Sequence, residues 1–225
     1  MSFSVVALVP MRHSSERVPG KNYRPFNGTP LFQRIVSTLL EVDRISRVVI
    51  DTDSPTVREQ AAAEFPSVRV IDRPEHLLGG HTPMTEVLRY DATVVPSEWY
   101  LQTHTTNPLL RATTIDAALD TMESALDTHD SLFSVTRWQT RLYRADGSAV
   151  NHDPAVLLRT QDLPPIYEEN SNLYLFSGEL IAGGRRIGDR PVLFEVDRLE
   201  AVDIDEEYDF VLAEALDRHL AAART

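Results

Sequence analysis

Short apolar segments alternate with stretches of helical periodicity along almost the whole chain. The first apolar segment spans residues 5–9, and strands are predicted again at 47–53, 68–71, 99–102, 131–136 and 191–196. Helices are predicted near 31–40, 57–63, 83–92 and 113–126, with a last helix around 211–216. Strands that alternate with amphipathic helices form a mostly parallel sheet with helices on both faces, so we predict an α/β fold.

The composition limits the classes of function. The 225 residues fit a single domain, 1–225, and the irregular stretch 137–153 is predicted as a hairpin insertion. No apolar run approaches the ~20 residues of a membrane helix. The N-terminus has no secretory pattern and cysteine is absent, so we expect a cytoplasmic protein without disulfides. A net charge of −12 argues against nucleic-acid and membrane partners, so an anionic substrate would need a local basic pocket.

The loop after the first strand supplies such a pocket. Pro10 is predicted to end the strand, and the loop carries the cations Arg12, Arg17 and Lys21. Cations and backbone N–H groups in a loop of this kind commonly bind phosphate. Lys21 is the only lysine in the chain, and since arginine cannot copy its compact ammonium group, we interpret Lys21 as functional rather than as a chance occurrence. The Walker A and Gly-x-Gly-x-x-Gly patterns are absent, which disfavours a Rossmann oxidoreductase.

Two aspartates near the C-terminus form a candidate metal site. Asp203 and Asp205 lie one residue apart on a segment predicted to be extended, so their carboxylates point to the same side. Such a pair repels unless a cation neutralises it, and Mg²⁺ binds one or two carboxylates together with waters and phosphates. The alternative is that Asp205 caps the last helix. Asp51 and Asp53 are a second candidate metal pair, although helix capping is the favoured role at 53–54.

The cationic loop resembles that of a known family. Arg12, Ser15, Arg17, Pro19, Lys21 and Asn22 match the loop of the CTP-dependent acylneuraminate cytidylyltransferases, also called CMP-N-acetylneuraminate synthetases. His13 and Ser14 replace two glycines of that loop, and Glu16 replaces a lysine. The resemblance implies a Rossmann-like sheet of the nucleotide-diphospho-sugar transferase type. It also implies that the triphosphate is bound by Arg12, Ser15, Arg17, Lys21 and Asn22.

Two further segments extend the resemblance to the base and the acceptor. Arg73 matches an arginine close to the nucleotide base, with a surface ion pair as the alternative, and Thr82 is a nucleotide contact or a helix cap. Gln102 matches a glutamine that contacts the acceptor, although extra residues follow it before Pro108. His104 lies among these extra residues and is a candidate acceptor contact, with a solvated loop histidine as the alternative.

The segment 159–174 is another long match to the same family. Ser171 and Asn172 replace a Gly-Ala pair, which would narrow the pocket or add hydrogen bonds. A guanidinium can pair with a carboxylate through two hydrogen bonds, so Arg159 is a candidate clamp for an acidic acceptor. The resemblance implies that the acceptor is bound by Arg159, Gln161, Tyr167 and Asn170. In relatives this region crosses a dimer interface, so we expect a homodimer with 137–175 as its insertion and dimer region.

The resemblance as a whole predicts a nucleotidyltransferase that moves CMP from CTP to an acidic acceptor and releases pyrophosphate. Arg12 and Lys21 are predicted to act on the phosphates. Asp203 and Asp205 match the family's Mg²⁺-binding aspartates. The implied acceptor is a nonulosonic, sialic-acid-like 2-keto sugar acid, and a small phosphonate is the alternative. A non-catalytic nucleotide-binding protein of the same fold is the alternative outside the enzymes.

Overall fold

Within residues 3–222, which the computed structural model describes, strands and helices alternate as predicted. The strands are β1 (Val5–Met11), β2 (Pro25–Phe26), β3 (Thr29–Pro30), β4 (Ile45–Thr52), β5 (Arg69–Asp72), β6 (Trp99–Thr103), β7 (Ser131–Trp138), β8 (Ile166–Ser177) and β9 (Pro191–Glu195). The α-helices are α1 (Leu31–Leu40), α2 (Pro55–Glu64), α3 (Met84–Val94), α4 (Ala112–Ala125), α5 (Gly178–Ala182) and α6 (Glu207–Ala222). Short 3₁₀ helices lie at Lys21–Tyr23, Glu75–Leu77 and Thr160–Asp162.

Seven strands form the central sheet in the order β5-β4-β1-β6-β8-β7-β9. β8 runs antiparallel to its neighbours β6 and β7, and the other neighbouring pairs are parallel. The predicted mostly parallel, Rossmann-like sheet is therefore confirmed. The apolar pattern missed β8, because the first half of this strand is polar and largely exposed.

The side chains of β1 alternate between two apolar layers. Val5, Ala7 and Val9 pack in the layer that contains core residues of α1, α2 and α4. Val6 and Leu8 pack in the layer that contains core residues of α3 and α5. Because successive side chains of a strand point to opposite faces, a continuous apolar run is what a doubly covered strand requires. Helices on both faces are therefore confirmed.

β1 continues through Pro10, where the sequence predicted its end. Pro10 is in register with Asp51 on β4, whereas β6 pairs only with β1 residues 6–8. At Pro10 the strand thus has β4 as a neighbour on one side, and β6 no longer pairs with it on the other side. Because proline has no backbone N–H to donate, it is tolerated where one side of the strand is unpaired. The extension brings Met11 and the cationic loop to the carboxyl edge of the sheet.

Residues 139–165, here called the arm, leave the central sheet between β7 and β8. The arm contains the isolated bridge Tyr143–Ala149 and exposes several apolar side chains, among which Leu157 is 88% exposed. The predicted insertion 137–175 is too wide. Arg137 and Trp138 pair with Tyr167 and Ile166, and the rest of β8 also belongs to the sheet.

Helix capping differs from two of the predictions. Asp205 does not cap α6; instead the carboxylate of Asp209 accepts hydrogen bonds from the backbone N–H groups of Asp205 and Glu206, at 3.1 and 2.8 Å. Thr82 does not cap α3, which begins without a side-chain cap. Ser54 caps α2 by accepting from the backbone N–H of residue 57 at 3.2 Å. No helix within residues 3–222 is long and apolar enough to cross a membrane.

Candidate active site

A cleft of about 390 Å³ opens at the carboxyl edge of the sheet. In open α/β sheets ligands bind beyond the carboxyl ends of the strands, and this volume suits a small molecule. The cleft contains most of the predicted nucleotide contacts, together with Glu16 and His81. The predicted residues that line it are Arg12, Ser15, Arg17, Lys21, Asn22 and His104.

Arg12 is exposed and makes no ion pair within the part of the chain that the structure describes. Its Nη1 atom lies 3.8 Å from the place that a Cβ on Gly80 would occupy, and Oε1 of Glu16 lies 3.9 Å from that place. Arg12 is therefore available to an anion, and Glu16 faces the same part of the cleft. The lysine-to-glutamate change in this loop brings a negative charge directly into the site.

Arg17 and Lys21 are both held by residues 203–205. Nζ of Lys21 donates to the carbonyl oxygen of Ile204 at 2.5 Å, and Nη2 of Arg17 donates to Asp205 Oδ1 at 2.6 Å. Burial lowers the pKa of Lys21, while Asp203 and Asp205 oppose this shift. Both members of the Arg17–Asp205 pair are about half exposed. Because such pairs contribute little to stability, an arriving anion can displace the carboxylate.

The cationic loop is anchored by hydrogen bonds to neighbouring segments. The buried amide of Asn22 donates to the carbonyl oxygen of Arg12 at 2.7 Å and accepts from Thr105 Oγ1 at 2.6 Å. The N–H of His13 donates to Asp53 Oδ1 at 2.6 Å. Asn22 therefore holds the shape of the loop with both ends of its amide. Ser15 accepts weakly from the N–H of residue 18 at 3.4 Å.

Asp203 and Asp205 fit a divalent cation. Oδ1 of Asp203 is buried and has no hydrogen-bond partner within residues 3–222, and both carboxylates act on the ammonium group of Lys21. No group of three or more acidic or histidine side chains among these residues is arranged to hold a metal. A cation on this pair would therefore complete its shell with water and phosphate oxygens, as Mg²⁺ does. Asp53 does not fit, because it anchors the loop.

Arg73 forms a buried ion pair, so the alternative of a surface ion pair is wrong. Its Nε donates to Asp51, and the two side chains are 3% and 0% exposed. Asp91 of α3 interacts with the same carboxyl group, and burial together with the Asp51 charge raises the pKa of Asp91 to about 9. Both oxygens of Asp91 and one of Asp51 lack a donor among the described groups. A proton on Asp91 would pair one oxygen of each carboxyl group, and the charge that remains on Asp51 would balance Arg73.

A smaller cavity of about 140 Å³ adjoins the cleft. Arg12 lines both spaces, and the smaller one is also lined by Arg73 and Thr82. The structure thus brings Arg73 and Thr82 to the same side of the cationic loop, as the predicted nucleotide contacts require. Arg73 lies in the wall of this cavity with its orientation fixed by Asp51.

Gln102 connects the cleft to an arginine that the sequence did not reveal. The buried Gln102 amide contacts Nε2 of His104 at 2.7 Å, and its Oε1 accepts from Nη1 of Arg186 at 2.8 Å. Arg186 lies between α5 and β9, in a turn that the loop motifs do not include. The paired arginines 185 and 186 were the only sequence signal, and nothing in the local pattern connects them with Gln102.

The comparison with protein families decides the class of this protein. A family model described as cytidylyltransferase matches residues 6–219. The chain belongs to the cytidylyltransferase family. It is therefore an enzyme, a nucleotidyltransferase, which confirms the resemblance carried by the cationic loop.

Individual relatives of this cytidylyltransferase are distant. The chain is 26% identical to CMP-N,N'-diacetyllegionaminic acid synthase of Legionella pneumophila, over 94% of this chain and 95% of the relative. It is 24% identical to N-acylneuraminate cytidylyltransferase A of Danio rerio, over 93% of this chain but only half of that protein. A structure of CMP:2-keto-3-deoxy-manno-octonic acid synthetase complexed with CTP matches the fold with a TM-score of 0.71 at 15% identity, covering 96% of this chain and 99% of that one.

Among the predicted acceptor residues of this cytidylyltransferase, His104 lines the cleft and Gln102 contacts it, whereas the four from segment 159–174 are not gathered there within one subunit. Arg159 is exposed and pairs with Asp162 at 2.7 Å. Tyr167 is exposed at the far end of β8, roughly 20 Å along the strand from the residue opposite Gln102. Asn170 donates to a threonine of β7 at 3.1 Å. Gln161 is exposed, and its carbonyl oxygen accepts from Gln139 in the arm. Acceptor contacts by these residues remain a prediction that needs a second subunit.

The two departures from the family's Gly-Ala pair have separate structural roles. Ser171 adopts φ 58°, a left-handed conformation that glycine adopts without strain, which accounts for the family's glycine. Asn172 is buried, and its Nδ2 donates to the carbonyl oxygen of Glu200 at 3.0 Å. Asn172 therefore adds a hydrogen bond inside the protein and does not narrow the pocket.

Proposed function

We propose that this enzyme transfers CMP from CTP to an acidic acceptor and releases pyrophosphate. The observation that carries the proposal is that Lys21 meets Asp203 and Asp205 at the carboxyl edge of the sheet. A cationic loop suits a triphosphate, and a carboxylate pair beside it suits the divalent cation that accompanies a triphosphate.

In the proposed reaction an acceptor oxygen attacks the α-phosphorus of CTP in line. The bond from that phosphorus to the bridging oxygen of the β-phosphate breaks, and pyrophosphate leaves. Arg12, Arg17 and Lys21 bind the triphosphate and stabilise the charge that develops on the leaving group. Mg²⁺ held by Asp203 and Asp205 would neutralise phosphate charge.

The acceptor's proton is proposed to go to solvent rather than to a protein base. His104 is the imidazole at the acceptor side of the cleft, and its Nε2 is occupied by the amide of Gln102. This arrangement favours an acceptor oxygen that is already anionic or is acidified by the metal. It agrees with an acidic acceptor.

The small cavity beside Arg73 and Thr82 is proposed to receive the cytosine base. The cavity adjoins the cationic loop through Arg12, so a nucleotide could place its base there and its phosphates in the cleft. The buried Arg73–Asp51 pair supports this role, because a fixed guanidinium reads a planar base better than a mobile one.

A nonulosonic 2-keto sugar acid is the first choice of acceptor. The names of the relatives, which refer to legionaminic acid, acylneuraminate and a manno-octonic acid, support this choice. A small phosphonate remains the alternative, and the glutamate in the nucleotide loop and the extra residues after Gln102 favour an acceptor unlike sialic acid.

The enzyme is also proposed to act as a homodimer formed through the arm. The arm exposes Leu142, Tyr143, Val150, Val156, Leu157 and Leu158. Exposed apolar side chains clustered on one short segment are typical of an interface. Light scattering should give twice the 25.3 kDa chain mass, and Leu157→Asp should give a monomer. Leu126→Asp, at an exposed leucine directly after α4, is the matched control and should stay dimeric.

The function is tested by pyrophosphate release with Mg²⁺. Each of the four nucleoside triphosphates is combined with N-acetylneuraminate, other keto-sugar acids or small phosphonates. Release with CTP and one acceptor class supports the proposal and names the acceptor. CTP binding without release from any combination would contradict it and would favour a binding protein of the same fold.

A further inference from the structure

We infer that Arg186 binds the oxyanion of the acceptor and thereby determines which acceptors the enzyme uses. The inference rests on the proposed function. It concerns carboxylate or phosphonate oxygens, which a guanidinium binds by the same charge-assisted hydrogen bonds. The sequence pointed to Arg159 for this role, but Arg159 is exposed on the arm. Arg186 lies in the same subunit as the cleft and contacts Gln102 directly.

The hydrogen bonds around Gln102 determine which atom of its amide accepts, which atom donates and which nitrogen of His104 carries the proton. Because Arg186 can only donate, the oxygen of the Gln102 amide must accept from it, and the amide nitrogen must then donate to Nε2 of His104. His104 therefore carries its proton on Nδ1. This N–H lacks a hydrogen-bond partner within residues 3–222, on a side chain that lines the cleft.

His104 lies between the two charged sides of the site. Burial, together with the smaller effects of the Arg186 and Lys21 charges, lowers the pKa of His104 to about 4. Both cations therefore act on one imidazole, with Lys21 on the phosphate side and Arg186 on the other. An acceptor that reaches a phosphate held by Lys21 from the Gln102 side lies within reach of Arg186.

The guanidinium group of Arg186 is held in place by the aromatic ring of Tyr174. Its guanidinium stacks on the buried ring of Tyr174, with 3.7 Å from Cζ to the ring centre. The Tyr174 hydroxyl donates to Glu169 and lies 3.2 Å from Oγ of Ser171. The serine that replaces the family's glycine thus supports the platform under Arg186. The stacked guanidinium also covers the ring, so the ring face is not available to an apolar group of the acceptor.

Arg186 still has donors to offer. A guanidinium carries five N–H donors. Here one donates to Gln102, and a second makes a long contact of 3.4 Å with Glu169, whose side chain is 42% exposed. A pair of this length and exposure neutralises the cation weakly. The guanidinium side chain is itself 20% exposed, so an oxyanion can reach it without unfolding the turn.

The test compares Arg186→Met with Arg185→Ala. Arg185 is the neighbouring arginine, exposed and paired with Asp189 at 2.7 Å, so it is a matched control for general charge. With CTP and the acceptor that supports turnover, Arg186→Met should raise the acceptor KM by ~10–100-fold, the loss expected for a charge-assisted contact. The KM for CTP should not change. Arg185→Ala should behave as wild type in both measurements.

A masked acceptor separates an oxyanion contact from a packing role. For N-acetylneuraminate the probe is its methyl ester, which keeps the attacking hydroxyl, and for 2-hydroxyethylphosphonate it is the monomethyl ester, which keeps one anionic oxygen for the attack. If Arg186 binds the oxyanion, the ratio of kcat/KM between wild type and Arg186→Met should collapse towards one with the ester. An equal ratio for acid and ester would overturn the inference. Comparing the two acids identifies whether the carboxylate or the phosphonate is recognised.

Two further variants keep the test informative if Arg186→Met does not fold. Arg186→Lys retains the charge and should give a KM between wild type and Arg186→Met. Glu169→Gln removes the weak competing charge and should lower the acceptor KM, whereas a purely structural role predicts a rise. Wild-type enzyme that turns over no acceptor would overturn the proposed function and this inference together. Active wild type with an unchanged KM in Arg186→Lys would overturn the inference alone.

Discussion

Nζ of Lys21 donates a hydrogen bond to the backbone carbonyl oxygen of Ile204 at 2.5 Å, and the charges of Asp203 and Asp205 both act on this ammonium group. A planar guanidinium does not fit a place shaped for a compact ammonium. We therefore expect Lys21→Ala to lower pyrophosphate release by ~100-fold or more, and Lys21→Arg to be nearly as impaired. Arg58→Ala, at an exposed ion pair that does not line the cleft, should keep the wild-type rate. A wild-type rate in Lys21→Arg would contradict a specific role for the ammonium group.

Asp203 should control the requirement for magnesium. Its buried Oδ1 has no protein partner within residues 3–222, and a metal would provide one. We expect Asp203→Asn to raise the Mg²⁺ concentration that gives half-maximal pyrophosphate release by ~10-fold or more. Glu206→Gln removes an exposed carboxylate that is 3.6 Å from Arg17, and it should leave the Mg²⁺ curve unchanged. Identical curves for wild type and Asp203→Asn would exclude Asp203 as a ligand.

Removing the carboxylates that balance Arg73 should lower the free energy of unfolding far more than removing the carboxylate that pairs with a surface arginine. The double change Asp51→Asn with Asp91→Asn removes both carboxyls and leaves a buried guanidinium unpaired, which should cost about 3–5 kcal/mol in the free energy of unfolding. Asp72→Asn breaks the exposed pair with Arg58 and should cost less than about 1 kcal/mol. Urea unfolding measures both. Equal costs would show that the buried pair is solvated in solution.

Stability should fall as the pH rises, because of Asp91. Its pKa is raised from the ordinary value of 3.8 to about 9, so between these values the folded protein binds a proton that the unfolded chain has lost. The free energy of unfolding must therefore decrease across this range. Asp91→Asn keeps a hydrogen-bond donor but does not titrate, so its stability curve should be flatter than that of wild type. Asp127→Asn, at an exposed site, should reproduce the wild-type slope.

Gly188 should be required for the position of the turn that carries Arg186. A Cβ at this position would lie 2.0 Å from Oδ1 of Asp130, and the same carboxylate accepts hydrogen bonds from the N–H groups of Asp189 and Arg190. Gly188→Ala must displace Asp130 or the turn, so we expect a destabilisation of about 1–3 kcal/mol. The acceptor KM should rise more than the KM for CTP. Steady-state kinetics and thermal unfolding of this variant test both effects.

The gathering of the proposed nucleotide contacts at one cleft could largely be predicted from the sequence, because these residues are local. Arg12, Arg17 and Lys21 belong to one loop, and the order of apolar segments places that loop at the carboxyl edge of a parallel sheet. Two residues on an extended segment face one side whatever their surroundings, so the pairing of Asp203 with Asp205 was also predictable.

The acceptor side could not be predicted in this way. Arg186 is 84 positions from Gln102 in the chain. Only the pairing of β8 with β6 and β7 brings the turn that carries Arg186 beside Gln102 on β6. The polar first half of β8 has no apolar signature, so the strand that organises this side was missed. The buried pair of Arg73 was not foreseen either, because its partner Asp51 lies on a different strand.

Periodicity and local motif chemistry therefore determined the α/β fold, the cationic loop at the carboxyl edge and the neighbouring Asp203 and Asp205 of this enzyme. Each of these depends on residues that are close in the chain, where strand alternation and loop composition limit the outcome. The tertiary structure decided which cations remain without an ion pair, which carboxyls are buried together and which arginine contacts Gln102. These properties depend on burial and on partners far away in sequence, and the free energy of a buried charge is set by those partners rather than by its neighbours in the chain.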